Sequence, residues 1–145
     1  MFRGGQPTRV DEKGRLKVPA EFKRVIDEKY AAKFYITSLD GRVAQLYPFE
    51  EWERIEQKLA ALSNFNPTKK KFLMHTNYWG QAVEMDAQGR LLLPQLLRDS
   101  ADLKGDVVVM GYLNHLEVRT MEAVSKEVAE PFTTDDEKNL DDLGI

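Results

Sequence analysis

The stretch "DEKGRLKVP" at residues 11–19 returns as "DAQGRLLLP" at residues 86–94, seventy-five positions later (86 − 11). Asp, Gly, Arg, Leu and Pro fall in the same places both times. A chain that repeats a phrase at this distance is built from two copies of one unit. In each copy an Asp four positions before an Arg, with Gly between them, suits a type I turn followed by a residue at positive φ, the closing element of a β-hairpin. After the turn, Leu16 and Val18 alternate with Arg15 and Lys17, and Leu91 and Leu93 repeat the alternation. Period-two alternation marks a half-buried strand, so these four apolar residues are expected to face inward. Pro19 and Pro94 then suit the first turn of a helix, where a missing N–H costs nothing.

The rest of each copy follows the same order. "PAEFKRVIDEKY" sets Phe22, Val25, Ile26 and Tyr30 on one helical face, and "FYITSL" and "RVAQLY" read as strands around the turn "LDGR". In the second copy "QLLRDSADL" is a short helix, and "DVVVMGYL" and "HLEVR" are strands around Asn114. Each unit is therefore β-β-α-β-β. Four short strands do not bury both faces alone, so the two units are expected to interleave into one closed sheet. The expected fold is α+β: a pseudo-twofold β-barrel of two β-β-α-β-β repeats, at 5–51 and 80–123. Linker helices fill 52–79, and 124–145 is a short helix with an acidic tail expected to be frayed or disordered. Trp52, Ile55, Leu59 and Leu62 form a stripe in the first linker helix that suits core packing or a subunit seam. "NPTKKKF" opens the second linker helix with an Asn cap and a Pro in the first turn.

Charge distribution narrows the function. The net charge of −3 argues against a nucleic-acid partner only until it is divided along the chain. Residues 1–24 carry seven Lys or Arg against three acids, net +4, whereas residues 122–145 carry eight acids against two Lys, net −6. A basic N-terminal segment thus survives an acidic tail, and local charge decides where an anion docks. The candidate DNA contacts are Arg3, Arg9, Lys13, Arg15 and Lys17. Arg15 can instead pair with Asp11, and Arg90 with Asp86, to fix the turns; both roles stay open. Lys13 and Lys17 flank Arg15 while Gln88 and Leu92 flank Arg90, which favours the first copy as the contact. The run Lys69–Lys70–Lys71 reads as a solvated helix face, since cations next to a helix N-terminus are not favoured there.

Other classes fit less well. The absence of cysteine excludes a disulfide framework and thiolate chemistry. No nucleophile–base pair, phosphate loop or metal-ligand spacing accompanies Asp11, Asp86, His75 or His115, so neither an enzyme, a metal site nor a cofactor is expected. The two histidines read as satisfied surface residues. No apolar run approaches the length of a bilayer span, and a cytoplasmic protein without membrane contact is expected.

The start "MFRGG", the two copies "DEKGRLKVP" and "DAQGRLLLP", and the intervening "LYPFEEWERIEQKL" together resemble the MraZ family of bacterial transcriptional regulators, relatives of the AbrB/SpoVT swapped-hairpin DNA-binding domains. The resemblance covers nearly the whole chain except the tail. It implies a sequence-specific regulator that binds double-stranded DNA repeats in its own promoter, at the head of the division and cell-wall gene cluster. It also implies a homo-oligomeric ring of subunits located on the nucleoid. The competing reading is a ring-forming interaction scaffold that never touches DNA; such a scaffold has no need to collect cations on one hairpin.

Overall fold

The computed structural model describes residues 1–145. Its first repeat contains β1 (Gly5–Val10), β2 (Arg15–Lys17), helix α1 (Ala20–Lys29), β3 (Lys33–Thr37) and β4 (Ala44–Pro48). The linker is α2 (Phe49–Ala60) and α3 (Pro67–Tyr78). The second repeat contains β5 (Gln81–Glu84), β6 (Arg90–Leu92), α4 (Gln95–Ala101), β7 (Gly105–Tyr112) and β8 (His115–Thr120). Two helices, α5 (Met121–Ala129) and α6 (Thr134–Asp142), end the chain. The expected β-β-α-β-β order is present twice. Pro19 and Pro94 sit one position before their helices as N-caps rather than inside the first turn.

All eight strands form one antiparallel sheet in the order β5-β3-β4-β8-β7-β1-β2-β6. The two end strands, β5 and β6, are consecutive arms of one hairpin, so the sheet curls into a nearly closed barrel. Exchanging each strand with its counterpart in the other repeat leaves the circular order unchanged. The pseudo-dyad passes through the pair Leu16↔Leu91, whose members are themselves seventy-five positions apart. The hairpins are swapped: β1 pairs along its whole length with β7 of the second repeat, and β5 pairs with β3 of the first. Within its own hairpin β1 keeps a single pair, Val10↔Leu16.

Alternation explains the core. Leu16, Val18, Leu91 and Leu93 are at most 1% exposed and meet at the dyad. Phe22 and Ile26 of α1 are buried against them, with Val25 and Tyr30 packed at the margin. Burying a Leu- or Phe-sized side chain contributes about 1.5–3 kcal/mol, so this shared core joins the two repeats into one folding unit.

Four local expectations are corrected. The acidic tail is helical: Thr133 and Asp136 form a reciprocal capping box, with Asp136 N donating to Thr133 Oγ1 at 3.1 Å and Thr133 N to Asp136 Oδ2 at 2.9 Å. Acids in the first turn of α6 also complement the helix dipole. His115 is buried rather than at the surface, stacked on Tyr47 with ring centroids 4.2 Å apart. Lys69 leaves the solvated face expected for it, because its Nζ donates to the Leu62 carbonyl (3.1 Å) and Asn64 Oδ1 (2.9 Å) and ties down the loop between the linker helices. The expected stripe is only partly core, since Trp52 is buried against Tyr35 whereas Leu62 lies past the end of α2 and is 44% exposed.

Candidate nucleic-acid interface

The two turns are built identically. Asp11 Oδ1 accepts the backbone N–H groups of Lys13 (3.0 Å) and Arg15 (2.9 Å), and Asp86 Oδ1 accepts those of Gln88 and Arg90 (both 2.9 Å). The fourth residue closes each turn at positive φ, +85° at Gly14 and +74° at Gly89. Arg15 Nε donates to Asp11 Oδ2 at 2.7 Å, and Arg90 Nε to Asp86 Oδ2 at 2.9 Å. Backbone N–H donation from each arginine, followed by its side chain, holds both aspartates below their ordinary pKa. They remain charged and keep the turns shut.

The ion pair therefore exists, but it uses the arginine edge-on. Only Nε is engaged, and neither guanidinium's Nη atoms have a hydrogen-bond partner in the chain. Turn fixation and contact with an outside anion are compatible, because a guanidinium presents five donors in a rigid fork.

Across the dyad each turn is bonded to the residue that follows the other repeat's second strand. Val18 N donates to the Gly89 carbonyl at 3.0 Å, and Leu93 N to the Gly14 carbonyl at 2.9 Å. Gly14 is thus displaced from Gly89 by the strand length from residue 14 to residue 18, roughly 13 Å at about 3.3 Å per residue. The antiparallel β2–β6 pair thus carries one turn at each of its two ends.

The five expected contact residues do not form a single patch. Lys13 lies on the first turn with its ammonium free of partners, and Arg15 closes that turn. Arg9 is at the edge of the same region, where Nη1 pairs with Asp106 Oδ1 at 2.6 Å; both side chains are more than two-thirds exposed, so the pair adds little stability. Arg3 lies elsewhere. Phe2 N donates to the Leu113 carbonyl at 2.7 Å, which puts Arg3 beside the β7–β8 turn, separated from Lys13 by the length of β1, about 20 Å. Lys17 also departs from its expected place: it pairs in register with Arg90, and its Nζ donates to the Gln88 carbonyl of the second turn.

Two further cations cover these turns, one on each. The Arg98 guanidinium lies against Gly14, with Cζ only 2.2 Å from where a Cβ would stand, and its Nε donates to the Leu93 carbonyl at 3.0 Å. Lys23 lies over Gly89 in the same way, its Cδ 3.2 Å from that glycine's absent Cβ. Lys23 and Arg98 are again seventy-five apart, each four residues after its repeat's proline. That spacing was the signal in the sequence, although nothing in one strand or helix says that each residue covers the other repeat's turn. The histidines make no part of either turn: His75 Nδ1 is 2.8 Å from the Leu39 carbonyl, and His115 stacks on Tyr47.

Comparison with known proteins agrees with this duplicated architecture. The family model for the MraZ protein matches residues 1–75 and again 80–143. The chain is 60% identical over 146 residues to the transcriptional regulator MraZ of Acidobacterium capsulatum, covering both chains completely. It is 58% identical to that of Koribacter versatilis, again over the full length of both. It is 40% identical to the Haemophilus influenzae protein over 119 residues, 81% of this chain and 79% of the relative. With the repeated turns, the swapped hairpins and these matches in hand, the chain belongs to the MraZ family.

Proposed function

We propose that this protein is a sequence-specific, DNA-binding transcriptional regulator that docks on duplex DNA through the barrel edge formed by its basic N-terminal hairpin. The observation that carries the reading is the paired turn: two rigid hairpin tips at the two ends of one strand pair, each ending in an arginine whose Nη groups are free. Phosphate contacts from Lys13, Arg9 and neighbouring cations set affinity and register, and an arginine fork on a rigid turn is suited to a guanine edge or a phosphate. Arg3, at the far end of β1, meets a separate stretch of backbone. The relatives' name as transcriptional regulators supports the same reading.

Following the family resemblance, the target is a set of repeats in the protein's own promoter, at the head of the division and cell-wall gene cluster. The protein acts there as a ring of subunits on the nucleoid. Exposed apolar side chains away from the turns, among them Phe65, Met74, Leu113 and Phe132, supply surface for such an assembly. Successive subunits then engage successive repeats, and modest single contacts multiply.

A mobility-shift titration against the protein's own upstream region, repeated across salt concentrations, tests the proposal. About four phosphate contacts per subunit give a log–log salt slope near −4, steeper for an assembly. A salt-independent shift, or none, rejects it.

A further inference from the structure

A groove beside the linker carries chemistry that the turns do not use. It lies between α3 and the β3–β4 turn, holds about 480 Å³, and is lined by Leu39, Pro67, Thr68, Lys71, Phe72 and His75. Thr68, Lys71, Phe72 and His75 follow the i, i+3, i+4, i+7 spacing of one helical face. On an ordinary packed helix that face is apolar. Here Phe72 shares it with a hydroxyl, an ammonium and an imidazole.

Both walls are fixed in advance. Thr37 Oγ1 and the Tyr35 hydroxyl donate to the Thr76 carbonyl at 2.6 and 3.0 Å, which pins α3 to β3. In the facing turn, Gly41 N donates to Ser38 Oγ and Arg42 N to Asp40 Oδ1, both at 2.9 Å. His75 joins the walls, its Nδ1 2.8 Å from the Leu39 carbonyl. A carbonyl only accepts, so Nδ1 carries the hydrogen and the neutral ring keeps Nε2 as an acceptor without a partner. Lys71 enters none of the chain's ion pairs, and no acid lines the groove. A largely preformed concavity of this size, with an apolar floor and a few convergent polar groups, is the form of a small-molecule site. Fixed walls also spare a ligand the cost of ordering them.

We propose that this groove binds a small aromatic acid that carries a second polar group, an O–H or N–H. The carboxylate meets the Lys71 ammonium and the Thr68 hydroxyl, the ring lies on Leu39 and Phe72, and the O–H or N–H donates to His75 Nε2. The proposal goes beyond the DNA-binding reading and does not rest on it, since no residue of the groove belongs to either turn.

Calorimetric titration of the full-length protein tests it, with para-hydroxyphenylacetate and the uncharged para-hydroxyphenylacetamide as probes. The acid is expected to saturate at one molecule per chain and to bind roughly threefold or more tighter than the amide, the effect of one solvent-exposed ion pair. Lys71→Gln is expected to close that gap between acid and amide. Lys70→Gln removes the same charge from the adjacent residue, outside the groove, and is expected to keep the gap. Phenylacetate, which lacks the hydroxyl, is expected to bind more weakly than the hydroxylated acid. Melting temperatures establish that both variants are folded. Absence of a saturable signal overturns the proposal, as does an unchanged gap in Lys71→Gln. A gap closed equally by both lysine variants also overturns it, because net charge alone then explains the preference. Equal binding of the two acids overturns the role given to His75. Dissociation of an assembly by the acid, followed by sedimentation, overturns the proposal too, because a neighbouring subunit then occupies the groove.

Discussion

One carboxylate oxygen of Asp11 serves two backbone N–H groups and the other takes the arginine, so removing the aspartate and removing the arginine are unlike events. Asp11→Ala strips the turn of all three hydrogen bonds, whereas Arg15→Ala leaves the backbone part intact. Asp11→Ala is therefore expected to lower the melting temperature more than Arg15→Ala. Arg15→Ala is expected to cost roughly 1–3 kcal/mol of DNA affinity per subunit contact in a protein that stays folded. Thermal melts beside operator titrations separate the two; an Arg15→Ala protein that melts early yet binds normally reverses the assignment. Glu117 gives the pH prediction. Buried on β8, it is held at about 2 by His115 and then Arg119, the latter donating from Nη1 at 2.8 Å, against the opposing effect of burial. A carboxyl whose folded pKa is depressed stabilises the fold above its unfolded pKa, near 4.5, and loses that contribution as pH falls toward 2. Glu117→Gln should flatten the acid limb of the stability curve in that window, measured by denaturant melts; an unchanged limb contradicts the assignment. At this scale the Asp–Arg pairs were legible as one of two open roles. The burial of His115 was not, because alternation along β8 turns His115, Glu117 and Arg119 away from the barrel core without saying that Tyr47 covers that face.

Among the elements, the turns and α6 make opposite demands on sequence. Gly14 is required twice over: a side chain there takes a left-handed φ, at about 1–2 kcal/mol, and displaces the Arg98 guanidinium. Gly89 meets only the flexible stem of Lys23. Gly14→Ala is expected to destabilise more than Gly89→Ala in urea melts, and equal losses would show that Arg98 does not brace the first turn. Helix α6 has no buried residue, so deletion of residues 131–145 should leave the melting temperature unchanged. Its helicity was hidden because weak apolar patterning says nothing about a helix stabilised at its own end. The signal lay in the Thr133–Asp136 spacing, with Asp in place of the more usual Glu or Gln. The hairpins, α1, α4 and the Asn66-capped α3 were legible because period, turn chemistry and caps all agreed there.

For the molecule as a whole, the repeat spacing made the pseudo-twofold barrel legible, since both copies bury the same alternating residues. Which strands pair was not, because β1 and β7 are joined by long-range ladder bonds that leave no local pattern. Lys17 shows the consequence: assigned by sequence to the first turn, it serves the second. Swapping also means that neither repeat completes itself. A fragment of residues 1–79 lacks the partner of β1 and is expected to be unfolded or dimeric by sedimentation; a folded monomer contradicts the swapped core. The central claim is that DNA docks on the β2–β6 strand pair and the turns at its two ends. Hydrogen–deuterium exchange of the full-length protein, with and without a duplex carrying its own promoter repeats, tests this most directly. The account predicts new protection in peptides spanning residues 11–18 and 86–93, and none across 121–145. Binding that protects the linker helices or the C-terminal helices while leaving both turns unchanged would contradict it.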